Sequence, residues 1–225
     1  METRHNCLRW LVSCRPMEKL SAEDYRELRA NAELVTADPF GDKVLLLEDG
    51  DYLKLFRVKR LWTSARLRPY AKRFANNTRR LADLDIPVPS VRALYQIPAI
   101  ARTAVRYAPL PGKTLRDLGT EFDADIALKL GAFYKDLHSK GIYHRSLHLG
   151  NVVLTPERRL GLIDVADLNI YWGSLPRRLR LRNFQHLFRY HSDRAVIAKF
   201  SNEFNEGIAD NKLIDSVLAM LSEPV

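Results

Sequence analysis

The chain has 225 residues, a formal net charge of +9 and a pI near 9.7. That length suits one domain, or two lobes sharing a cleft, with room for a real core. No apolar run of about 18 residues occurs, so no helical membrane span is expected. The two cysteines, Cys7 and Cys14, make no disulfide framework and are expected to be reduced thiols of a cytosolic protein.

Residues 1–20 show no clear period and read as an N-terminal extension, with the ordered domain expected to begin near Met17. Ser21-Ala22-Glu23-Asp24 fits a capping box and opens a short helix over 21–31. A loop over 36–42 follows, in which Gly41 is the one glycine. Lys43–Glu48 and Tyr52–Phe56 are apolar runs separated by Asp49-Gly50, a strong hairpin signal. Lys54 sits inside the second run, and the two-residue period places it on one face with Tyr52 and Phe56. A lysine there either snorkels to solvent at an edge or serves a site.

The spacing then predicts a helix from Leu61 to Leu84, bent at Pro69. Phe74, Asn77 and Leu81 share its inward stripe, which makes Asn77 a polar residue on an apolar face. Strands are expected over 88–95 and 99–107. Pro109-Leu110-Pro111-Gly112 marks a turn. An amphipathic helix is expected over Asp123–Lys140, with Ile126, Leu130, Phe133, Tyr134 and Leu137 on one face and Gly141 as its stop.

Val152–Leu154 and Leu160–Ile163 read as two short buried strands. His144, Arg145, Ser146, His148 and Asn151 precede the first, and Asp164 follows the second. A hairpin between the strands would bring Asn151 and Asp164 together. An amide oxygen and a carboxylate, both hard ligands, could then share one Mg²⁺. Further helices are expected over about 192–206 and 212–222.

The positive charge is concentrated in two blocks. Nine cations and no acid lie between Arg57 and Arg80, and Arg177, Arg178, Arg180, Arg182, Arg189 and Arg194 are opposed only by Asp193. Such blocks suit a polyanion: nucleic acid, an anionic membrane surface or a phosphorylated glycolipid. A solvated basic face is the plain alternative. Nucleic-acid binding is the less favoured partner, because no aromatic-rich binding motif or zinc module appears.

His144-Arg145-Ser146-Leu147-His148-Leu149-Gly150-Asn151 followed by Asp164-Val165-Ala166 resembles the catalytic loop and metal motif of the protein-kinase-like superfamily. The helix exit Leu137-His138-Ser139-Lys140-Gly141-Ile142-Tyr143-His144 is similar to the approach to that loop in kinase-like proteins. Together with Leu162-Ile163-Asp164 and the arginine-rich 176–183 segment, the pattern resembles the bacterial lipopolysaccharide core sugar (heptose and Kdo) kinases and the proteins often labelled toluene-tolerance proteins. The similarity covers roughly residues 30–190.

The resemblance implies an α+β, two-lobe fold. An N-lobe of antiparallel sheet with one helix would span 21–107, and a shortened helical C-lobe 108–225. It implies ATP and Mg²⁺ as cofactors, phosphotransfer to a sugar hydroxyl, and an anionic glycolipid partner. The location would be cytoplasmic, with peripheral association at the inner membrane. Lys54 would hold the α/β phosphates and Asn77 would stand where a kinase pairs that lysine with glutamate. Tyr107 would lie in the adenine-binding hinge, and Asn151 and Asp164 would hold the metal. Two departures matter. The glycine-rich loop is reduced to Gly41, and Ser146 stands where the family places its aspartate. Ser146 is not a base near pH 7, so His148 is the substitute considered first, with Asp167 behind it. His148 equally suits a loop-structuring hydrogen bond, and His144 a backbone bond near Asp164. A pseudokinase that keeps the fold as a nucleotide-binding or regulatory module is the alternative reading.

Overall fold

The computed structural model describes residues 17–58 and 69–222, and the chain divides into two compact units between Leu110 and Pro111. The fold class is α+β, with the sheet in the first unit and most helices in the second. Cys7, Cys14 and the basic residues between 59 and 68 lie outside the described residues.

The first unit is a six-stranded sheet in the order β1-β5-β6-β4-β3-β2, antiparallel except for the β1–β5 pair. Its strands are β1 (Glu18–Lys19), β2 (Glu33–Asp38), β3 (Gly41–Leu46), β4 (Tyr52–Arg57), β5 (Ser90–Ile97) and β6 (Arg102–Ala108). Helix α1 (Ala22–Ala30) opens with the expected capping box: the Ser21 hydroxyl accepts from Asp24 N at 3.0 Å, and the Asp24 carboxylate accepts from Ser21 N at 3.3 Å. Alternation along β4 buries Leu53 and Leu55 with Leu45, Leu47, Ile97 and Ala104, and Tyr25 and Leu28 of α1 pack on that cluster. The other face of β4 carries Tyr52, Lys54 and Phe56. It meets helix α2 (Tyr70–Asp83) through Phe56–Tyr70 and Phe74–Tyr107 ring contacts of 6.0 and 5.2 Å.

Three expectations are revised here. The 36–42 loop is a tight hairpin: Glu33–Asp38 is a strand pairing with β3, and its turn is held by Phe40 N donating to the Asp38 carboxylate at 2.8 Å. Pro69 starts the helix rather than bending it, as a residue without an N–H can; the 61–68 part of the expected helix lies outside the described residues. The strand expected over 99–107 starts at Arg102, because Pro98–Ile100 forms a 3₁₀ turn that closes on Ala101 at φ 51°.

The second unit is built on helix α3 (Ala124–Ser139), capped by the Asp123 carboxylate accepting from Ile126 N at 2.9 Å. Ile126, Leu130, Tyr134 and Leu137 are buried as the period requires, while Phe133 is only half-buried. Gly141 ends this segment at φ 71°, with Tyr171 and Gly173 carbonyls 2.5 and 2.4 Å from where a Cβ would stand. Two small sheets follow: β7 (Lys113–Thr114), β9 (Val152–Leu154) and β10 (Leu160–Leu162) in the order β10-β9-β7, and β8 (Ile142–His144) with β11 (Leu168–Ile170). The helices α4 (Arg177–Leu187), α5 (His191–Ala198), α6 (Ser201–Ile208) and α7 (Asn211–Ser222) complete the unit.

The single helix expected over 192–206 is therefore two. The break falls at Phe200, whose φ of −127° leaves the helical region while its ring contacts Phe122 at 6.0 Å. It frees α6 to cross α3 at Gly131 and Gly207. There a Cβ on Gly131 would stand 2.1 Å from the Phe204 carbonyl oxygen, and one on Gly207 2.1 Å from that of Leu128. Backbone meets backbone at this crossing, so an added methyl must push the helices apart. Gly131→Ala is expected to cost about 3 kcal/mol, read as a lower urea midpoint at unchanged slope. A loss within the scatter of ordinary surface substitutions would overturn the assigned contact.

Candidate active site

Antiparallel pairing of β9 and β10 sets Val152 against Leu162, which leaves Asn151 and Asp164 at the open end of the hairpin. Ile163 N donates to the Asn151 carbonyl at 3.1 Å, so the two segments stay in register up to the candidate ligands. The Asn151 amide nitrogen donates to the Ser146 carbonyl at 2.8 Å. Its oxygen is therefore the atom left to face a cation. Asp164 adopts the left-handed conformation at φ 54°, which aspartate tolerates better than most residues. The donor set, one amide oxygen and one carboxylate, is of the kind Mg²⁺ accepts alongside water and phosphate oxygens.

His144 is fully buried. Its Nε2 donates to the Asp164 carbonyl at 3.2 Å, and its Nδ1 has no partner. Asn183 of α4 donates to the His144 carbonyl at 3.0 Å. Burial lowers the His144 pKa to about 4, so the ring is neutral at pH 7 and acts by holding the backbone of Asp164. His138 on α3 is also buried and lowered to about 4, first by desolvation and then by the Arg180 guanidinium.

Ser146 is half-buried, and its carbonyl accepts from both Asn151 and His148 N. His148 lies with Nε2 3.4 Å from the Asn151 amide nitrogen and Nδ1 3.4 Å from Arg116. Its ring meets Tyr190 edge-on at 5.1 Å. Partial burial and the Arg116 guanidinium hold its pKa below the ordinary value. The geometry thus gives His148 a structuring place in the loop, with both ring nitrogens turned toward protein donors.

The sequence reading did not find the group that carries this loop. Asp193, at the start of α5, is 1% exposed. It accepts two bonds from Arg116, Nε at 2.8 Å and Nη2 at 2.7 Å, and a third from Leu149 N at 3.1 Å. The Arg116 guanidinium also lies 4.6 Å from the Tyr190 ring centroid. Arg116 and Asp193 are 77 residues apart, so no local pattern joins them. A lone acid inside the arginine-rich block was the only available signal.

In the first unit Lys54 is 7% exposed, with Nζ 5.9 Å from the Phe56 ring centroid. Asn77 is 8% exposed on the buried face of α2, beside Phe74 and Leu81. Tyr107 lies in β6, stacked 5.8 Å from Tyr52. The residues around 105–108 that were expected to form a hinge are strand, ahead of the boundary between the units.

No family model matches the chain, and no curated protein matches it. Solved structures do. One is described as a divergent kinase that lacks the glycine-rich loop and regulates membrane ultrastructure of the Toxoplasma parasitophorous vacuole. It shares 17% identity, with a TM-score of 0.49, over 100% of this chain and 79% of that one. The fold of this chain is α+β: a mainly antiparallel sheet with one helix on the Lys54 face in the first unit, and in the second a helical unit that carries the 144–151 loop and the β9–β10 hairpin.

Two outcomes follow. The neutral, buried His138 and His144 take up protons only in the unfolded chain between pH 6.5 and 4, so stability is full above that window and falls as pH drops through it. Chemical denaturation at pH 5 should show a loss of about 2 kcal/mol for each relative to pH 7, and glutamine at both positions should flatten the profile. Asp193→Ala removes the acceptor of four bonds and is expected to cost about 3 kcal/mol. Arg116→Ala should cost at least as much, because it leaves the 1% exposed Asp193 carboxylate without its main donors, whereas the 39% exposed guanidinium left by Asp193→Ala can be hydrated; equal and negligible effects in urea denaturation would refute the anchoring role.

Proposed function

We propose that this chain is an ATP- and Mg²⁺-dependent phosphotransferase acting on a sugar hydroxyl of an anionic glycolipid of the lipopolysaccharide core type, with Ser146 in place of the usual base. The observation that supports the reading is the hairpin register that leaves Asn151 and Asp164 at its open end, with Ile163 N bonded to the Asn151 carbonyl. Bound Mg²⁺–ATP would supply the transferable phosphoryl group and neutralise its charge. Asn151 and Asp164 would hold the metal, and Lys54 would bind the α/β phosphates.

Ser146 would hydrogen-bond the acceptor hydroxyl without deprotonating it. General-base help is typically worth about 10²–10⁴ in rate. The remaining catalysis is positioning and electrostatics, so the step is slowed rather than forbidden. An anionic acceptor is supported by the charge beside the loop. The pKa of His186 is held down by partial burial and then by Arg182, Arg145 and Arg189, which places three guanidinium groups around it. His186 itself joins β8 through Tyr143, 3.2 Å away. Arg145 directly precedes Ser146 and lies 3.6 Å from Asp167.

A second reading has its own observation. Ser146 lacks a carboxylate and His148 is directed at Asn151 and Arg116, so the loop offers no assigned base. A pseudokinase that binds nucleotide as a regulatory module would look the same.

Calorimetric titration with ATP is the test. Binding by the wild-type chain should require Mg²⁺ and be lost in Asp164→Ala. Turnover on core-sugar acceptors should disappear in Asp164→Ala and be kept or raised in Ser146→Asp, by up to about 10². Mg²⁺-dependent binding without turnover in either chain selects the pseudokinase. Binding indifferent to Mg²⁺ and Asp164 overturns both readings.

A further inference from the structure

The link between β11 and α4 is a short turn, Tyr171-Trp172-Gly173-Ser174-Leu175, braced at both ends. Tyr171 N donates to the Gly141 carbonyl at 2.9 Å, and Leu175 N to the His138 carbonyl at 2.8 Å. The Leu175 carbonyl in turn accepts from Arg180 Nε at 2.7 Å, which ties the turn to α4. At its tip Trp172 is 104% exposed and Tyr171 46% exposed. Trp172 has no ring or hydrogen-bond contact among the described residues.

Apolar residues scattered singly on a surface are ordinary. A fully exposed tryptophan next to an exposed tyrosine, on a turn this firmly held, is a different arrangement. It cannot fold its rings back onto the core without breaking the backbone bonds that shape it.

The charge around it has one sign. Helix α4 begins at Arg177, directly after Pro176, and has no acid in its first turn. Arg178 is exposed and has no ion-pair partner among the described residues. Arg177 is exposed and donates only to the Lys212 carbonyl and the Ser216 hydroxyl. On the elements packed beside the turn, Asp136 at the end of α3 is bridged by Lys140 at 2.6 Å. Asp210, ahead of α7, is bridged by Arg180 at 3.2 Å. Asp136 and Asp210 are thus paired; Asp215 of α7 is exposed without an ion pair among the described residues, and so are Arg177 and Arg178, which leaves the cations in excess.

We propose that the Tyr171–Trp172 turn and the Arg177–Arg178 start of α4 form a docking surface for an anionic lipid bilayer. Tryptophan and tyrosine settle at the headgroup level of a membrane, where a ring is buried and its polar edge stays wet. Each arginine near an anionic surface strengthens partition about fivefold. The shape favours lipid over nucleic acid. Single-stranded chains are gripped in grooves with successive aromatic platforms, whereas this is a single convex tip with cations behind it. The inference does not depend on phosphotransfer.

The test uses the full chain and sedimentation with vesicles of phosphatidylcholine alone or with about one-third phosphatidylglycerol. The wild-type chain should bind the anionic vesicles and not the neutral ones. Trp172→Ala should weaken partition about tenfold, and Arg178→Glu at least about fivefold, the latter effect fading at high salt. Both positions are exposed, so a circular dichroism spectrum matching wild type should accompany the loss. In a Trp10→Phe/Trp62→Phe background, Trp172 emission should shift to the blue with anionic vesicles. Equal partition of wild type and Trp172→Ala overturns the proposal. So does Trp172-dependent binding of a single-stranded oligonucleotide with no vesicle binding, which would assign the surface to nucleic acid.

Discussion

A carboxylate that is 1% exposed can remain charged only if its lone pairs are answered by donors. Asp193 has four in place: two from Arg116, one from the Leu149 amide and a longer one from the Ser192 hydroxyl at 3.4 Å. The ion pair thereby reaches the segment that begins at His148, because Leu149 N is the first amide of the 3₁₀ turn that ends at Asn151. Arg116 lies in the turn that follows β7, early in the second unit, and Asp193 on a late helix. The loop between His144 and Asn151 is thus fixed by two parts of the sequence that close on each other only in the folded state. A Cβ on Gly150 would stand 3.0 Å from the Arg116 guanidinium and 3.3 Å from the His148 ring, so the clamp is already close against the loop.

This construction explains how the loop keeps its shape with serine at 146. What Asn151 and His148 need from that residue is its backbone carbonyl oxygen, which any residue provides. The side chain at 146 is therefore dispensable for the hydrogen bonds that shape this loop. At His144, a neutral ring that holds the Asp164 carbonyl shapes the backbone at the candidate metal ligand, and its low pKa keeps that role unchanged across physiological pH.

Much of this was legible from local pattern. The Ser21 capping box, the Asp49-Gly50 hairpin, the burial of Asn77 beside Phe74 and Leu81, and the β9–β10 hairpin each rest on residues within a dozen positions of one another. What was missed has physical reasons. Strand β2 is exposed along nearly its whole length, so it carries no alternation of apolar and polar residues. Strands β1 and β7 have two residues each, too few for any period. The break between α5 and α6 is imposed by packing against α3, and the apolar spacing runs through it undisturbed. The Arg116–Asp193 pair and the arginines gathered around His186 are tertiary facts that composition only hinted at.

The core of the second unit also reaches the loop from beneath. Tyr134 is fully buried among Phe184, Phe204 and His138, with ring separations of 5.3, 6.4 and 6.0 Å, and its hydroxyl donates to the Leu147 carbonyl at 3.0 Å. A phenol in such a place is stabilised by its one hydrogen bond and would be costly without it. The Gly131–Gly207 crossing is what brings Phe204 of α6 onto that ring. Close packing of two helices therefore sets the position of a phenol, the phenol sets Leu147, and Leu147 lies between Ser146 and His148. The candidate site is held from above by an ion pair and from below by an aromatic core, and neither support involves the residues assigned to nucleotide or metal.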